Sequence, residues 1–143
     1  MVTTSTPTAS SVLVQRALTI NGMFLMVVGG VQVILELSGY FGIGLYAAAF
    51  HSSPYTIGFA EAHGLALIIG WTLFSQRSKA YRPANHILAV SVHVLLAAAN
   101  IFFWRSYPAF GMVVPGILST VAHIGLVILQ VVVLSRQSGD RPS

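Results

Sequence analysis

Four stretches of this chain are almost wholly apolar, and each is close to the roughly 20 residues needed to cross a hydrocarbon core of about 30 Å. They run from about Ala17 to Leu37, Thr56 to Phe74, Ala84 to Trp104 and Val113 to Leu134. Each predicts a transmembrane helix, so the expected fold is an all-α four-helix transmembrane bundle in one domain, residues 1–143. Pro83 and Pro115 lie near the starts of the third and fourth spans, where a missing N–H costs nothing. There is no internal repeat, no heptad pattern, and no biased tract beyond the Ser/Thr-rich start. The segment between the first two spans, residues 38–55, is itself apolar, with Gly39, Gly42 and Gly44 breaking its beginning. A loop of that character is expected to form a short interfacial helix or a cap over the bundle.

Composition supports the membrane reading. Hydrophobic residues make up 55% and charged residues 7% of the chain, against about 25% charged in soluble domains, and mean hydropathy is +0.81. The formal net charge of +4 sits in the connecting segments, so it marks topology and not a nucleic-acid surface. Arg77, Lys79 and Arg82 occupy the middle loop, with Arg16, Arg136 and Arg141 toward the ends, while the opposite side has Arg105 alone. The positive-inside rule then puts both termini in the cytoplasm of a multi-pass protein of the plasma (inner) membrane. Aromatic residues cluster at the same boundaries, including Tyr40, Phe41, Trp104 and Tyr107 on the outer side and Trp71 and Tyr81 on the inner. The first apolar run is too long for a signal-peptide core and is expected to stay as a helix. With no cysteine, disulfide chemistry and thiolate metal sites are excluded.

Against this background the polar residues inside the spans become the candidate chemistry. Glu36, Glu61, His63, His93 and His123 all lie within apolar stretches, where an ionisable side chain costs roughly 2.5–3.5 kcal/mol on insertion and is a functional candidate for that reason. His86, His93 and Asn100 recur every seven residues on the third span, and His123 and Gln130 repeat that spacing on the fourth. Both stripes are expected to face the bundle interior. Gln32 lies one turn from Glu36 on the same face. His86 is close to the cytoplasmic interface, His51 belongs to the outer loop, and Asn100, Gln32 and Gln130 also suit plain interhelical hydrogen bonding.

The working site is expected in the outer half of the bundle. His63, His93 and His123 with Glu61 can ligate iron, copper or zinc. Alternatively, His93 and His123 can be axial ligands of haem b, with Asn100 as an orienting partner and small residues such as Ala97 and Gly116 leaving room for the ring. Iron, copper or haem b there implies redox or electron-transfer chemistry. No span carries two ligands at an intrahelical spacing, and Glu61 and His63 are two residues apart, about 200° around a helix. If His63 faces the site, Glu61 can instead share a proton with Glu36.

Two other readings stand beside the cofactor. In the first, Glu61 and His63 act as catalytic acid and base on an apolar lipid, isoprenoid or quinone. A proton pathway is a variant of it, weakened because nothing ionisable follows His63 on the second span until the loop. In the second, the chain is a non-catalytic subunit or assembly factor of an oligomer or larger complex, with small-residue contacts such as Ala60 and Gly64 on its surface. No G-x-S-x-G or P-loop pattern is present. The segment GFAEAHGLA has the look of a motif, with no activity attached to it.

Overall fold

A computed structural model describes residues 9–139. The chain forms α1 (Ala9–Tyr40), α2 (Ala47–Phe50), α3 (Thr56–Gln76), α4 (Pro83–Phe102), α5 (Ser106–Ala109) and α6 (Val113–Gly139), with no strand among the described residues. The four long helices are each long and apolar enough to span a membrane, which suggests a multi-pass membrane protein. α2 and α5 are single turns that close one end, here termed the cap end, and the loop carrying Arg77, Lys79 and Arg82 lies at the opposite, basic end.

The four helices fall where hydropathy predicts them, but α1 starts at Ala9 and not near Ala17, and α6 runs on to Gly139. A helix saves its backbone hydrogen bonds by continuing past the apolar stretch, so hydropathy reads the buried length and not the helix end. α4 stops at Phe102, short of Trp104, because the chain turns there into α5. The apolar segment 38–55 contains α2, whose Phe50 is fully buried.

The distribution of polarity is inverted relative to a water-soluble bundle. Val27, Ile34, Ile68, Leu95 and Val121 are exposed, whereas Asn21, His86, His93 and Gln130 are 0% exposed and Glu36 is 2% exposed. Apolar side chains outward and polar ones inward is the arrangement a hydrocarbon surrounding demands.

The helices associate as two antiparallel pairs, α1 with α3 and α4 with α6. The α1–α3 seam is a backbone contact made possible by glycine. A Cβ at Gly22 would lie 2.7 Å from the Phe74 amide nitrogen, one at Gly29 would lie 2.7 Å from the His63 carbonyl oxygen, and one at Gly70 would lie 2.7 Å from the Met26 nitrogen. Without a hydrophobic gain between helices in lipid, such close approach is a main source of association. Leu25, Ala66, Leu73 and Ala89 fill the space beside the seam. At the cap end Tyr46, Phe50 and Met112 pack with Phe59, Tyr107 and Phe110, and Thr56 Oγ1 donates to the Phe50 carbonyl at 3.3 Å.

Candidate functional site

The polar stripe on α4 meets that on α6 rung by rung. His86 Nδ1 donates to Gln130 Oε1 at 2.5 Å, His93 Nδ1 and His123 Nδ1 lie 2.9 Å apart, and Asn100 Nδ2 donates to Ser119 Oγ at 3.1 Å. Successive rungs stand about 10.5 Å apart along α4, seven residues at 1.5 Å each. In the middle rung one imidazole donates and the other accepts, since neutral imidazole has one of each. Phe24 of α1 presents its ring edge-on to both histidines, with centroids 6.0 Å from His93 and 5.6 Å from His123.

The third rung departs from the heptad because a tyrosine enters it. On α6 the seven-residue repeat would continue from Gln130 and His123 to Gly116, and a Cβ there would lie 2.8 Å from the Tyr107 ring. The missing side chain admits the ring, and Tyr107 Oη donates to Asn100 Oδ1 at 2.6 Å. Burial raises the Tyr107 pKa above its ordinary 10.0, so the phenol is held as a donor.

On the other pair, Gly22, Gly29 and Glu36 share the seven-residue spacing, so the glycine face of α1 ends in a carboxylate. That face lies against α3, and it brings Glu36 Oε1 to 2.6 Å from His63 Nδ1. The two atoms are close, but they are not aligned as a hydrogen bond. Glu36 is 2% exposed and the His63 side chain 26%, so the carboxylate backs the imidazole and the imidazole reaches outward. Gly29 is what lets the two backbones approach closely at His63.

A cavity of about 370 Å³ joins the two pairs. Phe24, Leu25, Val28 and Leu96 give it apolar walls, and Gln32, His63, Asn100, Ser119 and His123 contribute polar groups from all four long helices. Its volume falls in the range of small-molecule sites, roughly 300–1,000 Å³, and an apolar wall with a few convergent polar groups is their usual character. Gln32 Oε1 and Glu36 Oε2 are buried without a protein partner. The chemistry available is reception of an apolar molecule with one polar head, and proton exchange with that head through an imidazole backed by a carboxylate.

Of the residues singled out in the sequence, His63, His123 and Asn100 line this cavity and His93 stands behind His123. Glu61 is not brought to them. It is exposed, on a different groove lined by Leu37, Tyr40, Pro54 and Ile57, as the 200° offset from His63 requires. The carboxylate beside His63 is Glu36, and the pairing of Glu61 with Glu36 is not formed. Among the described residues no three His, Asp or Glu side chains are grouped as metal ligands. The His93 and His123 rings are in mutual contact, with centroids 5.1 Å apart, which leaves no plane for a macrocycle between them in this arrangement. Gly64 has open space where a Cβ would stand, so it takes no part in packing within the chain. Three participants escaped the sequence reading: Asn21, fully buried on α1, Ser119, and Tyr107, which counted only as an interfacial aromatic. The seven-residue continuation to Gly116 was the available signal for Tyr107.

Compared with protein-family models, with curated proteins and with solved structures, the chain finds no match in any of the three.

Proposed function

We propose that this chain is a multi-pass protein of the plasma membrane that receives an apolar lipid, isoprenoid or quinone in its central cavity and exchanges a proton with the molecule's oxygen head. The observation that carries the reading is convergence: polar groups from four helices meet on one otherwise apolar cavity, and one of them is an imidazole against a buried carboxylate. His63 is the acid or base, Glu36 is the carboxylate set against it, and Asn100, Ser119 and Gln32 position the head by hydrogen bonds. The same reading puts the basic end and both termini in the cytoplasm, supported by Arg77, Lys79 and Arg82 against Arg105 alone at the cap end. The cavity then lies in the outer half of the bilayer.

A second reading, a transition metal for redox chemistry, keeps one supporting observation: two imidazole nitrogens 2.9 Å apart, with His63 on the same cavity. His93 and His123 would hold the group, and it would supply electron transfer.

Native mass spectrometry of protein released from nanodiscs tests both. The expected result is a co-purified apolar molecule retained by wild type and His51→Ala and lost from His63→Leu. Equal retention in His63→Leu removes the acid–base site, and a stoichiometric metal lost in His93→Ala selects the second reading.

A further inference from the structure

Glu61 and Arg105 are two charges of the cap end that the chain itself leaves unmatched. Both are exposed, and among the described residues neither side chain makes an ion pair or a hydrogen bond. Glu61 lies in the second turn of α3, a helix long and apolar enough to span a membrane. A carboxylate turned outward from such a helix is costly in hydrocarbon and calls for an opposite charge at its own depth.

Arg105 stands at that depth, on the other flank of the helix. It shares a groove of about 580 Å³ with Tyr55, Phe59 and Phe103, and Phe59 is about 3 Å along the α3 axis from Glu61. Glu61 belongs to a second groove, of about 560 Å³, with Leu37, Tyr40 and Ile57. Around α3, Glu61 and Tyr55 stand about 120° apart with Gly58, Ala62 and Leu65 between them. Gly58 and Ala62 are exposed, and nothing lies within 4 Å of a Cβ at Gly58. This strip of α3 therefore has room for another backbone, flanked by a carboxylate on one side and a guanidinium on the other.

We propose that a second copy of this chain docks here, α3 against α3, with Glu61 of each copy paired to Arg105 of the other. Two copies inserted the same way across a membrane are related by a two-fold axis along its normal, and a contact of that symmetry closes as a dimer. Such an axis keeps every residue at its own depth and sets the left flank of one α3 opposite the right flank of the other. The Glu61 groove of each copy then meets the Arg105 groove of its partner, so the ion pair forms twice. Charge names the occupant: each groove carries the sign the other needs, and a second copy supplies both at the matching depth. Arginine suits the role, since its guanidinium forks onto a carboxylate while its apolar stem tolerates an aromatic groove.

Neither Glu61 nor Arg105 lines the central cavity, so the dimer stands apart from the ligand reading and either can fail without the other. It is also a contact between finished folds. Replacing Glu61 or Arg105 loosens the pair and changes the melting of the single chain no more than other surface replacements do.

Energy transfer between donor- and acceptor-labelled chains in phosphatidylcholine vesicles, over a range of protein-to-lipid ratios, tests the dimer. Wild type is expected to associate. Glu61→Arg and Arg105→Glu each set like charges against one another across the axis, so each alone is expected to self-associate about tenfold more weakly. Mixed together the two variants are expected to pair, because one then carries two cations and the other two anions at the contact. The chain has no cysteine, so a single introduced thiol gives a second reading that serves if the charge variants do not fold. Gly58→Cys, beside the axis, should oxidise to a linked dimer, whereas Ile117→Cys, exposed on α6, should not. A wild type that stays monomeric at every ratio, charge variants that associate like wild type, or a mixture that pairs no better than its components overturns the dimer. Linkage through Ile117→Cys without linkage through Gly58→Cys overturns it as well.

Discussion

The two helix pairs use one spacing for opposite ends. On α1 the positions at seven-residue intervals are Gly22, Gly29 and Glu36, and on α4 they are His86, His93 and Asn100. The first series removes side chains so that two backbones touch. The second fills the interface with polar side chains that hydrogen-bond across it. In lipid both are workable, because association there depends on close packing and on satisfied polar groups, not on the exclusion of water. The difference separates two roles in the fold: the glycine seam ends in the contact of Glu36 with His63, and the ladder holds α4 to α6 through side-chain hydrogen bonds.

Breaking the seam should cost most. In Gly29→Leu the added atoms meet the backbone of His63 and Leu67, so the pair must separate, with a loss of about 1–3 kcal/mol or more. Gly64→Ala, with nothing within 4 Å of its new Cβ, should be neutral or slightly stabilising. Thermal unfolding in detergent, followed by circular dichroism, checks both, and equal melting of the two variants would remove the distinction between seam and outer face.

Breaking a rung should cost less and should be coupled. His86→Leu and Gln130→Leu each orphan a buried partner, at about 1–3 kcal/mol, while the double replacement should cost less than the sum. Strict additivity in that cycle would contradict a direct hydrogen bond.

At the half-buried end of the ladder Tyr107→Phe should cost about 1 kcal/mol. Because the fold raises the Tyr107 pKa, the folded state holds this proton where the unfolded chain has lost it. Stability is therefore full below the ordinary phenol range and falls as pH rises through it. Tyr107→Phe should remove that alkaline loss, as melting curves on either side of about pH 10 would report. Smallest of all, Glu61→Gln on the exposed face of α3 should change stability by no more than about 0.5 kcal/mol.

Much of this arrangement was legible in the residues. Four apolar stretches reveal four helices, and the spacing of His86, His93 and Asn100 marks their interior face, because a seven-residue period holds to one side of a helix. Pairing is harder to read. Glu36 and Glu61 sit in similar apolar contexts, and what selects Glu36 as the neighbour of His63 is the glycine face of α1, which acts through backbone approach and carries no chemical signature of its own. Asn21 looks like a lone polar residue near a helix start, yet it is fully buried and donates to the Ala17 carbonyl, which also accepts from Gln130 of α6.

The most direct test of the account is which carboxylate serves His63. Binding of decylubiquinone and of geranylgeraniol to protein in nanodiscs should be measured for wild type, Glu36→Gln and Glu61→Gln. The account predicts binding of at least one probe by wild type and Glu61→Gln, and its loss in Glu36→Gln. Loss in Glu61→Gln with retention in Glu36→Gln would contradict it, as would the failure of both probes to bind wild type.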